Sequence, residues 1–221
     1  MSNWLYGIQG WGLSLLSAIT QHTARYHVEG LEHLTQAQES GKPIIFAAWH
    51  GMTMMLAGFF LKHLADTSKL VLMMPDDRRG EALKRWALRI NARPYPMNLE
   101  GDDSMSMARQ FARLMRLVRQ GYMTYVTPDG PHGPAYEMKP GIAFLAQKTG
   151  AVLLPLGAFT RQGFRLNRWD QYTVPYLFAR IHLSISAPIP VANDANHEEI
   201  TEALIDRLHR VSARAITSYY E

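Results

Sequence analysis

The apolar run Tyr122–Val126 stops at Thr127-Pro128, and the residues just beyond it constrain the fold more than any other stretch of the chain. A polar loop, Asp129-Gly-Pro-His-Gly-Pro134, leads through Lys139-Pro-Gly141 into an apolar helix over Ile142–Thr149, closed by Gly150. A second apolar run, Ala151–Phe159, comes next. Short apolar runs ended by turn residues read as buried strands, and strand, loop, helix and strand together make a βαβ unit. The polar loop then stands at the carboxyl end of the first strand, the edge where open α/β sheets bind ligands. A rigid surface turn is the plainer reading of Pro-Asp-Gly-Pro, and spacing alone does not choose between the two.

The pattern recurs. Ile44–Trp49 is a continuous apolar run that delivers His50-Gly51, and Lys69–Met74 is a strand running into Pro75-Asp-Asp-Arg-Arg-Gly80. Helices are predicted over Met52–Leu64, apolar nearly all round, over Glu81–Ile90, over Met105–Gln120, and from Asn196 onward. Tyr26–Leu34 reads as an edge strand and turn, Arg161–Arg168 as a basic loop, and Ile181–Ile185 as a strand. This alternation predicts an α/β fold: one domain over 26–221, with a mixed, mostly parallel sheet and helices packed on it. No Gly/Ser tract, charge block or repeat divides the 221 residues.

Ahead of that domain, residues 1–25 contain no charged side chain before Arg25. Trp4, Ile8, Trp11, Leu15 and Ile19 form a helical stripe, with two tryptophans suited to a lipid–water boundary. An amphipathic interfacial helix is expected there, with packing on its own domain as the alternative. Arg109, Arg113, Arg116 and Arg119 line one side of a helix. They are read first as a solvated face and second as a surface for an acidic partner such as acyl carrier protein or anionic headgroups.

Absence of cysteine excludes disulfides, thiolate metal sites and cysteine nucleophiles together. A net charge of +4 favours an anionic partner. Nucleic acid is not expected, because the basic residues are scattered over helices without interleaved aromatics. No Gly-x-Ser-x-Gly elbow, Walker loop or His-Glu-x-x-His helix is present, and the histidines are not spaced as metal ligands.

The remaining signal is positional. If the three apolar strands are parallel neighbours, His50, then Asp76-Asp77-Arg78-Arg79, then Asp129 with His132 converge on one rim. A histidine there suits general base catalysis near neutral pH, and arginines beside it would hold phosphate. A hydrogen-bonded structural histidine is the competing reading.

The fragments Trp49-His50-Gly51, Thr127-Pro-Asp-Gly-Pro-His-Gly-Pro134, Lys139-Pro-Gly141, Leu154-Pro-Leu-Gly157 and Trp169-Asp170 occur in this order. Together they resemble a bacterial branch of the lysophospholipid acyltransferase-like superfamily, long catalogued as a domain of unknown function. The similarity runs from about Tyr26 to Pro190. It implies an acyltransferase-like fold with His50 as the general base. The acyl chain would pass from acyl-CoA or acyl carrier protein to a hydroxyl of a lysophospholipid or related amphiphile. Asp129 would support the base or the acceptor, and Asp77, Arg78, Arg79, Gly130, His132, Gly133 and Lys139 would bind substrate, with Gly130 and Gly133 N–H groups steadying an oxyanion or phosphate. No metal or tightly bound cofactor is implied. The resemblance places the protein peripherally, on the cytoplasmic face of the inner membrane. One departure stands out. The superfamily's acid, four intervening residues beyond the histidine, is Met55 here. Asp129, Asp77 or Asp170 would have to take its place. Failing that, the chain would be a non-catalytic lipid-binding protein of the same fold; an esterase using the same rim is a further alternative.

Overall fold

The computed structural model describes residues 15, 18–20, 22–77, 80–98 and 104–221. Along the chain run β1 (Arg25–Glu29), α1 (Leu31–Glu39), β2 (Ile44–Ala47), α2 (Thr53–His63), β3 (Leu70–Pro75) and α3 (Gly80–Arg89). They are followed by β4 (Arg93–Met97), α4 (Ser104–Arg119), β5 (Met123–Val126), α5 (Gly141–Thr149) and β6 (Val152–Phe159). The chain closes with β7 (Gly163–Arg165), β8 (Thr173–Pro175), β9 (Arg180–Ile185) and α6 (His197–Tyr220). Of the stripe expected in the N-terminal helix, Trp4, Ile8 and Trp11 lie outside the described residues; Leu15 and Ile19 are described, and residues 15, 18–20 and 22–23 are helical.

Seven strands form the main sheet in the order β1-β9-β6-β2-β5-β3-β4. The segment β6-β2-β5-β3-β4 is parallel throughout, so its carboxyl ends share one rim. The parallel pair β1 and β9 joins it antiparallel to β6. The mixed, mostly parallel sheet expected from the apolar runs is the sheet observed.

β2 lies inside this sheet, and every one of its residues is buried. Its side chains alternate between two layers, as strand geometry requires. Ile44 and Phe46 join Met55, Leu56, Phe59 and Phe60 of α2 in one core. Ile45, Ala47 and Trp49 join Leu114 and Val118 of α4, Ile142 and Leu145 of α5, and Leu204 and Leu208 of α6 in the other. With apolar partners on both faces, β2 cannot slip in register without burying the wrong set, which fixes where His50 emerges.

Two segments depart from the sequence reading. Instead of a turn, Gly30 starts a helix, α1, that buries Leu34 and Ala37. Gly30 takes φ 78°, and a Cβ there would strike the Ile185 carbonyl oxygen, so the helix starts close against β9. The second departure is at 161–168, read as a loop. It contains β7, paired antiparallel with β8 as a separate hairpin. Strands of three residues are too short to show alternation.

Candidate active site

His50 leaves the end of β2 in a short 3-10 turn, His50–Met52. The neighbouring strand β5 ends in the turn that holds Asp129, and its pairing with β2 is prolonged by Ala48 N–H donating to the Val126 carbonyl at 3.3 Å. Two carboxylates then reach the histidine from different directions. Asp129 Oδ1 accepts the His50 main-chain N–H at 2.9 Å. Asp170 Oδ2 lies 2.6 Å from the imidazole Nδ1. One carboxylate holds the backbone, and the other holds the ring.

The Asp170 contact sets the chemistry of the imidazole. A carboxylate oxygen accepts, so Nδ1 carries a proton, and in the neutral ring the lone pair falls on Nε2. The Asp170 side chain is wholly buried, whereas that of His50 keeps 22% exposure. The ring is therefore oriented by a buried carboxylate while its side chain stays partly exposed. Arg168 Nε approaches the other carboxylate oxygen at 3.5 Å, and the Tyr172 N–H donates to it at 3.3 Å. Trp169 and Tyr172 flank the imidazole, with ring centroids at 5.5 and 5.7 Å. Burial, helped by the nearby Asp170 charge, pushes the Tyr172 phenol above its ordinary range, so it stays protonated.

Asp129 is itself 1% exposed. Burial pushes its carboxyl above the ordinary value of 3.8, opposed first by the hydrogen bond from the His50 N–H. Main-chain N–H groups of Asp129 itself and of Tyr136 also approach it.

The Trp169-Asp170 loop is seated by two glycines. A Cβ at Gly51 would run into the Asp170 carbonyl oxygen, and one at Gly133 would run into the Trp169 ring. His50-Gly51 and His132-Gly133, from separate strand ends, thus leave room for the same incoming loop. The missing superfamily acid is explained in the same terms. Met55 is 3% exposed among the apolar residues of α2, and its main-chain carbonyl accepts the Tyr26 hydroxyl at 3.0 Å. That position belongs to the core, and Asp170 reaches the ring instead.

Of the other residues expected at the site, Asp77 is exposed at the end of β3, two strands from His50 in the order β2-β5-β3. Arg78 and Arg79 lie outside the described residues. His132 is exposed on the β5–α5 loop. Lys139 closes that loop, its N–H donating to the Pro128 carbonyl at 2.9 Å while its side chain lies beside Gly130. The expected use of the Gly130 N–H as an anion donor is corrected: it donates to the Thr127 carbonyl at 2.9 Å and completes the turn that carries Asp129. Asp170 was only one of three candidate replacements for the acid, and the adjacency Trp169-Asp170 was its one signal. On α4, Arg109, Arg113 and Arg116 are exposed, and Arg119 donates twice to the Lys148 carbonyl at the end of α5.

The fold is that of an acyltransferase-like α/β domain. The crystal structure of PlsC, the 1-acyl-sn-glycerophosphate acyltransferase from Thermotoga maritima, is similar with a TM-score of 0.57 at 15% identity, over 98% of this chain and 90% of that one. The sequence from 16 to 220 matches the bacterial lipid A biosynthesis acyltransferase family, and the chain belongs to that family. Among curated proteins, the uncharacterized protein RP090 of Rickettsia prowazekii (strain Madrid E) is 25% identical over 163 residues, covering 73% of this chain and 71% of the relative.

Proposed function

We propose that the protein transfers a fatty acyl chain from acyl-CoA or acyl carrier protein to the hydroxyl of an anionic amphiphile, with His50 as general base and Asp170 as the residue that orients it. The observation that carries this reading is the 2.6 Å contact between Asp170 and His50 Nδ1. It would supply the carboxylate that the Met55 position lacks, which supports a catalytic reading over a non-catalytic lipid-binding one.

In this reading His50 Nε2 takes the proton of the acceptor hydroxyl as the oxygen attacks the thioester carbonyl. The Nδ1–H donated to Asp170 steadies the imidazolium that forms. Collapse of the tetrahedral intermediate expels the thiolate, which takes up the proton from His50. An ester replaces a thioester and the base is restored, with no change of redox state. Asp129 keeps the His50 main chain in place throughout and exchanges no proton.

Two acceptor classes fit this chemistry. A lysophospholipid follows from the sequence resemblance, and a lipid A precursor follows from the family match over 16–220. Both present a hydroxyl close to an acyl chain and an anionic headgroup. The deciding experiment supplies labelled acyl-CoA and acyl-loaded carrier protein with both acceptor classes, to wild type and to His50→Ala. Transfer to one class that disappears in the variant identifies the acceptor. Release of free fatty acid without any acceptor would make the protein an esterase, and no turnover from either donor would overturn the proposal.

A further inference from the structure

The excursion between β6 and β9 does more than deliver Asp170. Its outer surface exposes Phe164 at 57%, Tyr176 at 56%, Leu177 at 48% and Phe178 at 64%. Three of these are consecutive in the turn between β8 and β9. Phe178 has a φ of 60°, the left-handed region that a bulky side chain seldom occupies. The turn is nevertheless firmly tied: Ala179 N–H donates to the Tyr176 carbonyl at 3.2 Å, and Phe178 N–H donates to the Thr23 hydroxyl at 3.3 Å. A backbone held in a costly conformation so that large apolar groups face water needs a use for those groups.

Charge points to what that use is. The segment 160–180 carries four arginines, Arg161, Arg165, Arg168 and Arg180, all exposed, and a single carboxylate, Asp170, which is buried against His50. Every charge this excursion shows to solvent is therefore positive. Exposed phenyl, isobutyl and phenol groups on a segment whose exposed charges are all guanidinium groups match an anionic bilayer, with apolar groups at the acyl–headgroup boundary and cations on the phosphates. Position agrees with this. The excursion begins at the carboxyl end of β6, the strand paired with β2, so it stands on the same rim as His50.

We propose that the β7–β8 hairpin and the Tyr176–Phe178 turn form a membrane-docking surface that takes an anionic phospholipid bilayer. This rests on the proposed acyl transfer only for its consequence, that an amphiphilic acceptor moves from the bilayer to His50 along the same rim. The loop inside the hairpin carries Trp169 and Asp170, so docking and orientation of the base share one piece of chain.

The test is flotation of the full chain with phosphatidylcholine vesicles, with and without phosphatidylglycerol, read without any turnover. Wild type is compared with Leu177→Ser/Phe178→Asn, asparagine being at ease at positive φ, and with Arg161→Gln/Arg165→Gln; circular dichroism verifies each fold. Wild type should prefer the anionic vesicles. The turn variant should lose about tenfold in partition on them. The arginine variant should lose about fivefold per charge, and only where phosphatidylglycerol is present. Folded variants that float like wild type would overturn the proposal. So would light scattering that shows a wild-type dimer broken by the turn variant with flotation unchanged, since the patch would then bind a second copy. Loss of flotation beside intact transfer to detergent-dispersed acceptor supports this proposal, whereas absent transfer with flotation as expected would fault only the reaction.

Discussion

The two loops that meet at His50 divide the work between them. The β5–α5 loop is anchored in the parallel sheet, turns through Asp129 at the end of its own strand, and grips the histidine main chain. The loop between β7 and β8 comes from outside the main sheet and grips the ring. A carboxylate on the backbone fixes where a base stands, and a carboxylate on Nδ1 fixes which nitrogen is basic. In the proposed reaction only the second role bears directly on proton transfer, so the two acids should respond to substitution in different ways.

The sharpest contrast comes from removing each charge while keeping the shape. Asp170→Asn should leave the protein folded and lower acyl transfer by about 10³–10⁴-fold, because an amide no longer enforces the Nδ1–H tautomer. Steady-state rates beside thermal melting check this. His50→Ala should remove at least as much. If Asp129→Asn lowered the rate as far as Asp170→Asn, the division of labour would be broken.

Gly51→Ala addresses the loop rather than the acid. The new Cβ meets the Asp170 main chain, so the loop has to move away from the ring. A displacement on the order of 1 Å should lower kcat by about 100-fold with little change in the melting temperature. A rate near that of wild type would mean that the loop tolerates displacement.

Asp129→Ala should act mainly on stability. It leaves the His50 N–H without its acceptor, at a cost of about 2 kcal/mol in chemical denaturation. Asp129→Asn keeps an acceptor oxygen and should cost far less.

The smallest effect is one of pH. Burial raises the folded pKa of Asp129 above its ordinary 3.8, so the folded chain holds this proton more tightly than the unfolded chain does. The stability this contributes is complete below the unfolded value and is lost as pH rises through the folded value. Asparagine cannot ionise. The stability of Asp129→Asn relative to wild type should therefore rise through that window and then level off, as equilibrium unfolding at a series of pH values would show. A difference that falls with pH would contradict the role of burial.

The same division explains what the sequence disclosed. Ile44–Trp49 and Tyr122–Val126 were legible because strands buried on both faces read as unbroken apolar runs, and such strands put His50 and Asp129 side by side. Asp170 was harder to place. Its contact with His50 spans 120 residues. The hairpin that brings it there has strands of three residues, in a segment whose arginines suggest a solvated loop. Met55 advertised that an acid was missing, but only packing shows why: its side chain is needed in the core on α2, and the room left by Gly51 and Gly133 admits a carboxylate from elsewhere. Gly30 hid α1 in a similar way, since a glycine after a short edge strand reads as a turn until the approach of Ile185 is known.

The central claim, that Asp170 orients His50, is tested most directly by ¹⁵N NMR of the His50 imidazole, which needs neither donor nor acceptor. With the ring neutral, wild type and Asp129→Asn should show the Nδ1–H tautomer with a lone pair on Nε2, and Asp170→Asn should lose that preference. A wild-type ring protonated on Nε2, or one indifferent to Asp170→Asn, would contradict the account.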